Sequence, residues 1–234
     1  MAILTHSKTG KMVWQTPYAR LSFPSLFQPR INKLDMSGDP KGKYEAVLIF
    51  PANATAAAVH PKLKPFWNSP EHMEAVQLLQ AKAQEVFGSA PEGLKAEIRK
   101  QYTELGVEKN LIRVFLKGET QISGKTGAVL PGFENGIVLR VKTGFPPQVL
   151  GPNKEEIMDP NEIYAGCYVR AQVSVYAFNP KQAGYKKGIK FQLEAIQKCF
   201  DGEHLGGGRP DWSEGFGVET EEARAINLDN IGGF

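Results

Sequence analysis

The 234-residue sequence contains few of the residues from which enzyme sites and disulfide scaffolds are built. Its two cysteines, Cys167 and Cys199, are too few for a disulfide framework, and we expect both to be free thiols. The four histidines lie far apart and away from the cysteines, so no metal-ligand spacing is present. No run of about 18 apolar residues occurs, which argues against a membrane span. The first eleven residues hold no apolar segment of signal-peptide length, and we therefore expect a cytosolic protein.

Recognisable catalytic motifs are also missing. There is no Gly-x-Ser-x-Gly nucleophile elbow. Residues 118–126 come close to a phosphate-binding loop, but five residues separate Gly118 from Gly124 where the motif has four. The residues that follow do not open a helix, so the loop lacks the helix N-terminus that binds phosphate. We therefore predict a protein that is not an enzyme and that needs no cofactor or metal.

Charge is distributed unevenly along the chain. The net charge is +3, but residues 201–234 hold eight acids and two bases, which gives this segment a charge of −6 and leaves +9 on residues 1–200. A basic body favours a polyanion partner, and an acidic end favours a segment that competes with that partner. We expect residues 201–234 to form a flexible acidic tail, because glycine, acids and polar residues dominate it.

Alternation of side chains predicts a mainly β protein of the α+β class. Strands are expected at residues 18–27, 43–50, 111–117, 136–143, 163–178 and 188–199, and residues 1–15 are expected to lack regular structure. Pro24 makes the first of these strands an edge or a bulged strand. A helix should start at Pro70, capped by Ser69, and end at Gly88; a second should run over residues 91–105. Five or six strands with one helical insertion fit a small antiparallel barrel better than a parallel sheet.

The strand at 168–178 separates two kinds of side chain most clearly. Its odd positions are small or aliphatic, and its even positions are aromatic or polar, including Tyr168, Arg170, Tyr176 and Phe178. Side chains alternate between the two faces of a strand, so one face fits a core and the other carries rings and a cation. Three more predicted strands, at 111–117, 137–143 and 189–195, repeat this scheme of an apolar inner face and a basic or aromatic outer face.

Such an outer face suits single-stranded nucleic acid. Rings stack on unpaired bases whatever their sequence, and cations bind phosphates in a salt-dependent way. The turn at 179–187 adds further cations and a tyrosine that could close over a bound strand. The predicted stacking residues are Tyr176, Phe178, Tyr168, Phe115 and Tyr185, and the predicted phosphate contacts are Arg113, Lys117, Arg140, Lys142, Arg170, Lys186, Lys187 and Lys190.

Four segments of the sequence resemble the bacteriophage single-stranded DNA-binding proteins. They are residues 163–170, residues 175–179, residues 188–195 and the Gly-rich run 206–212, with a weaker likeness at residues 21–27. The resemblance implies one OB-fold domain, placed at residues 1–200, and an acidic tail at 201–234; the two predicted helices at about 69–105 read as an insertion into this domain. It also implies DNA contact by the aromatic pair Tyr176 and Phe178, and binding of phage replication proteins through the terminal Phe234. The acidic run that the family carries directly before this phenylalanine is absent here.

The sequence thus predicts a sequence-independent single-stranded DNA-binding protein. It would act in phage DNA replication, recombination or repair, in the cytoplasm of the infected bacterial host, without a membrane partner. Two alternatives remain open: a nuclease on a similar barrel, and a virion structural or interaction protein whose aromatic face packs on protein. Loss of binding at high salt would separate a polyanion partner from an apolar protein interface.

Overall fold

Strands dominate the computed structural model, which describes residues 3–7, 9–31, 42–87, 114–178 and 188–205. In chain order the strands are β1 (Ile3–Thr5), β2 (Met12–Gln15), β3 (Ala19–Arg30), β4 (Lys43–Pro51), β5 (Phe115–Lys117), β6 (Gly136–Thr143), β7 (Gln148–Leu150), β8 (Tyr168–Phe178) and β9 (Gly188–Phe200). The helices are α1 (Ala54–Ala57) and α2 (Pro70–Phe87), with 3₁₀ turns at Gly118–Thr120 and Pro160–Glu162.

Five of the strands close into a barrel. β3 pairs with β4, β4 with β6, and β8 with both β9 and β3, all antiparallel, while β6 and β9 are parallel. The pairing of Ala19 with Val169 joins the first barrel strand to the fourth and completes the ring. The mainly β, OB-like fold expected from the sequence is therefore confirmed.

The barrel core is filled by the inward-facing positions of these strands. Val169, Ala171 and Val173 on β8 are buried, as the alternation predicted. The large rings of Phe50 and Phe191 join them in the core. Burial of a large apolar side chain contributes about 1.5–3 kcal/mol to folding stability. The alternation of apolar residues therefore determines which face of each strand turns towards the core.

The N-terminal residues form a hairpin, so the expectation that residues 1–15 lack regular structure is wrong. β1 pairs with β2, and β2 adds to β8 through Trp14, which lies opposite Val173. The indole of Trp14 is completely buried, with its ring 5.3 Å from that of Phe191. Strands of three and four residues are too short to show a period of two, and the partner that holds them is distant in sequence.

Helix α2 begins as predicted. The Ser69 hydroxyl accepts a hydrogen bond from the His72 backbone N–H at 3.1 Å, and Pro70 occupies the first helical position. The helix buries Ala75, Leu78 and Leu79 against the barrel core. The second predicted helix, at 91–105, lies outside the described residues.

Strand β8 begins at Tyr168 and not at residue 163. Gly166, just before it, has a φ of +118°, which suits glycine and interrupts an extended strand. A Cβ atom at Gly166 would lie 2.0 Å from the Glu203 carbonyl oxygen, so the chain that follows β9 crosses the start of β8 at close range. The last barrel strand ends at Phe200.

Candidate nucleic-acid interface

Two ends of the barrel carry different side chains. At one end, here called the rim, β8 finishes and β9 begins, as the pair Phe178–Gly188 shows. At the other end, here called the base, β8 begins and β9 finishes, as the pair Tyr168–Phe200 shows.

Tyr176 occupies the outer face of β8 near the rim, as the sequence predicted. Its side chain is 46% exposed, and the Lys190 ammonium lies 5.4 Å from the centre of its ring. The two residues are direct cross-strand partners, and such partners share one face of a sheet. The backbone of Phe178 continues the same strand, opposite Gly188, and its side chain lies outside the described residues.

The strand register extends this face to β6. Lys142 on β6 is the partner of Gln192 on β9, and Gln192 is the partner of Ser174 on β8. Lys142, Gln192 and Lys190 therefore lie on one face of the sheet, on which Ser174 is buried. Arg140 also faces outwards, as predicted, while its neighbours Leu139 and Val141 are buried in the core.

A groove runs along the outer face of β3, β4 and β6, beside this surface. It is lined by Phe23, Arg30, Glu45, Ala46, Val47, Leu130, Arg140 and Lys142. Glu45 receives an ion pair from Lys142 at 2.6 Å and another from Arg30 at 3.2 Å. Burial by itself would raise the pKa of Glu45, but the two cations and their hydrogen bonds outweigh burial and lower it. The groove therefore holds an ionised carboxylate between two cations.

Phe23 is an aromatic residue of this groove that the sequence analysis did not single out. Its side chain is 45% exposed and its ring lies 6.1 Å from that of Phe133. Its φ of +44° is a strained backbone conformation for a bulky residue. It sits where the β3–β4 register shifts between Ser22 and Ser25, which confirms the bulge predicted from Pro24. Pro24 was therefore the feature of the sequence that indicated an exposed Phe23, because proline favours a bulge and a bulge redirects the neighbouring side chain.

Two predicted contacts on β5 lie on the wrong face. Phe115 pairs with Leu139, so it faces the core, where its ring lies 6.2 Å from that of Trp14. Lys117 pairs with Ile137 and shares that side of the sheet, away from the face of Arg140. Leu116, expected in the core, packs instead on the outer cluster around Phe133. Alternation alone does not say which of two faces is inner, and the pairing register decides it.

Tyr168 and Arg170 lie on the outer face but near the base, so one trough containing all the predicted residues is wrong. Eight residues separate Tyr168 from Tyr176 along β8, which at roughly 3.3 Å per residue is about 26 Å. The Arg170 Nε donates to the Thr16 carbonyl at 3.2 Å. Five further predicted residues, Arg113, Tyr185, Lys186, Lys187 and Phe234, fall outside the described residues.

The near-match to a phosphate-binding loop has a different structure. Gly118–Thr120 forms a 3₁₀ turn, and Ser123 and Gly127 close a tight turn after it. In the part of the chain that the structure describes, no group of three histidine, cysteine or carboxylate side chains could hold a metal ion. No helix among those residues is both long enough and apolar enough to cross a membrane.

Comparison with known proteins identifies the family. Residues 70–226, more than half of the chain, match the family described as Enterobacter phage Enc34 ssDNA-binding protein. The single-stranded DNA-binding protein from bacteriophage Enc34, solved in complex with ssDNA, is 22% identical with a TM-score of 0.54, over 88% of this chain and 94% of that chain. A second structure of that protein is 20% identical with a TM-score of 0.53, over 92% of this chain and 98% of that chain.

These structural likenesses support the OB-like fold. The search of curated protein sequences found no match. The family match covers α2, β5, β6, β7, β8 and β9, and so includes Tyr176, Lys190, Arg140 and Lys142. The chain belongs to the Enterobacter phage Enc34 ssDNA-binding protein family.

Proposed function

We propose that this protein binds single-stranded DNA along the rim and the adjoining groove, without preference for sequence. The observation that carries the proposal is the exposed Tyr176 ring, which lies beside Lys190 on the face of the sheet that also carries Lys142. The related Enc34 protein was solved with ssDNA bound, which supports the same ligand class here. Tyr176, Phe178 and Phe23 are the proposed stacking residues.

The chemistry of these groups explains why sequence would not matter. Each base offers a flat π-face, and stacking on an aromatic ring contributes about 1–3 kcal/mol per base. Arg140, Lys142, Lys190 and Arg30 would neutralise phosphates, which all nucleotides share, and release counterions. In the unbound protein Glu45 holds two of these cations, so an arriving phosphate would replace a carboxylate as their partner.

The proposed role is protection and presentation of single strands during phage DNA replication, recombination or repair. The cytoplasm of the infected bacterium is the corresponding compartment. The protein would act as a binder and not as a catalyst, and the predicted contacts Arg113, Tyr185, Lys186 and Lys187 would complete the DNA surface. The tail at 201–234 would bind phage replication proteins through Phe234.

A binding experiment tests this function directly. Fluorescence anisotropy with matched single-stranded and double-stranded oligonucleotides, at two salt concentrations, should show tight single-strand binding that weakens steeply with salt. Tyr176→Ala should weaken single-strand binding about 5- to 150-fold, which corresponds to the loss of one stacked base. Tyr176→Phe keeps the ring and should bind as the wild type does.

Three results would contradict the proposal: no single-strand binding, binding insensitive to salt, or unchanged affinity in a folded Tyr176→Ala variant. Incubation of labelled single strands with the protein and Mg²⁺ separates binding from cleavage. A binder leaves the strands intact, whereas a nuclease shortens them.

A further inference from the structure

A second group of rings and cations lies at the base of the barrel, far from the rim. The Phe200 ring stacks on His60 with ring centres 3.9 Å apart, and on Tyr168 with centres 4.7 Å apart. Tyr18 joins the group, with its ring 5.7 Å from that of Phe200. All four side chains are half-buried, so part of each ring remains accessible.

Two cations face these rings. The Lys62 ammonium lies 5.8 Å from the centre of the Tyr18 ring and 5.9 Å from that of Phe200. The Arg170 guanidinium lies 5.2 Å from the centre of the Tyr18 ring. Both charged groups therefore approach one ring, and together with the stack they define what we call the base patch: Tyr18, His60, Lys62, Tyr168, Arg170 and Phe200.

The cations of the base patch are not neutralised as those of the groove are. Lys142 and Arg30 share the Glu45 carboxylate, whereas neither Lys62 nor Arg170 forms an ion pair with any carboxylate in the described ranges. The Arg170 guanidinium donates to a backbone carbonyl, that of Thr16. Asp201, which follows Phe200, is held by Lys198 at 2.6 Å. Two positive charges beside aromatic rings are thus available to an anion that also carries a flat group.

We propose that the base patch is a second single-strand contact, which binds the phosphodiester backbone with Lys62 and Arg170 and rests a base against the rings. The inference rests on the proposed function at the rim and extends it to a second site about 26 Å away along β8. The outer face between the two sites carries the half-buried, uncharged residues Gln172 and Gln192, over which a strand can pass, while Ser174 on that face is buried. Glu194 on that face is paired with Lys11.

A bound strand that reaches both sites must exceed a minimum length, and this gives the test. OB folds cover about 4–16 nucleotides, so oligothymidylates of about 5 and about 16 nucleotides should separate rim-only binding from binding at both sites. Anisotropy titrations over a range of salt concentrations should compare wild type with Lys62→Gln, Arg170→Gln and Arg170→Lys. Lys82→Gln, which removes the same charge from α2, is the control.

We expect Lys62→Gln to weaken binding of the long oligonucleotide on the order of tenfold and to lower its salt slope by about 0.7, the value for one lost phosphate contact on a single strand. The short oligonucleotide should bind every variant as it binds wild type. Arg170→Gln should behave like Lys62→Gln, and Arg170→Lys should restore most of the slope. Lys62 is exposed, so its substitution leaves the fold intact.

The result that overturns the inference is a Lys62→Gln variant that matches Lys82→Gln on the long oligonucleotide in both affinity and slope. Equal losses on the short and long oligonucleotides would also overturn it, because the patch would then be part of the rim site or act through the fold. Failure of the wild type to bind either oligonucleotide would instead refute the proposed function. If the base patch bound a protein partner instead of DNA, Lys62→Gln would match Lys82→Gln on the long oligonucleotide.

Discussion

Glu45 controls how much positive charge the proposed DNA-binding groove carries. Its carboxylate pairs with Lys142 and Arg30, and the two cations lower its pKa, so it stays ionised at neutral pH. An ionised acid in a phosphate-binding groove opposes binding twice, since it repels phosphates and occupies the cations that would bind them.

Glu45→Gln should therefore bind single-stranded DNA more tightly than the wild type. Each cation that is released to a phosphate should raise the salt slope by about 0.7, so two released cations give about 1.4. Salt titrations of the two proteins measure both effects. Glu156→Gln, which neutralises an exposed acid away from the groove, serves as the control. Weaker binding by Glu45→Gln would place the DNA elsewhere.

Phe23 combines strain with exposure, and the two properties can be separated by substitution. A left-handed backbone conformation costs an L-residue about 1–2 kcal/mol, and glycine adopts it without that cost. Such strain persists where the surrounding structure imposes it, which is common at ligand sites. The ring of Phe23 lies on the surface of the groove and is not part of the main core.

Phe23→Gly should consequently be more stable than Phe23→Ala, by about 1 kcal/mol, although glycine usually destabilises a strand. Both variants should lose single-strand affinity equally, because both lack the ring. Denaturant unfolding gives the stabilities and anisotropy gives the affinities. An alanine variant as stable as the glycine variant would show that the backbone is not strained, and unchanged affinity would remove Phe23 from the site.

At the scale of single elements, helix α2 brings a histidine into an aromatic environment. His72 is buried, its ring stacks on Trp67 with centres 4.7 Å apart, and Phe115 meets it edge-on at 5.5 Å. The Asn68 backbone N–H donates to His72 Nδ1 at 3.3 Å. Burial lowers the pKa of His72 below its usual 6.5, because the charged imidazolium is poorly solvated there.

This lowered pKa predicts a pH dependence of stability. Unfolded chains protonate His72 near pH 6.5, while the folded protein resists protonation to a lower pH. The stabilisation that the buried, neutral His72 contributes is therefore complete above pH 6.5. It is lost as the pH falls from that value towards the pKa of His72 in the folded protein. Denaturant unfolding at about pH 7.5 and pH 5 should show a larger drop for wild type than for His72→Gln. Equal drops would contradict the assignment.

The elements differ in how far local sequence determined them. β6 was predicted with its observed bounds, Gly136–Thr143, because both of its ends are marked by turn residues and its alternation is regular. The strand predicted at 111–117 has its faces inverted at β5, because alternation fits either face inwards and only the pairing of Phe115 with Leu139 decides between them. The β1–β2 hairpin was missed, because its stability comes from β8, more than 150 residues away.

At the scale of the whole molecule, topology determined the candidate site more than composition did. The sequence predicted Tyr176 and Lys190 on one outer face, and the structure pairs them. The separation of Tyr168 and Arg170 from Tyr176 follows from the length of the predicted strand, whereas the neighbours of each strand end depend on the pairing of β8 with β3 and β9. The groove at Phe23 needed the β3–β4 bulge, a tertiary feature that Pro24 signalled only in outline.

The central claim is that single-stranded DNA lies on the rim and its groove, and photocrosslinking tests it most directly. An oligonucleotide of about 5 nucleotides carrying iodouracil should be irradiated with the full-length protein, and the adducts mapped by mass spectrometry. Because excited iodouracil couples to aromatic rings that stack on it, adducts should form at Tyr176 and Phe23. Efficient crosslinking that leaves both residues unmodified, with all adducts on the base patch or elsewhere on the barrel, would contradict the account.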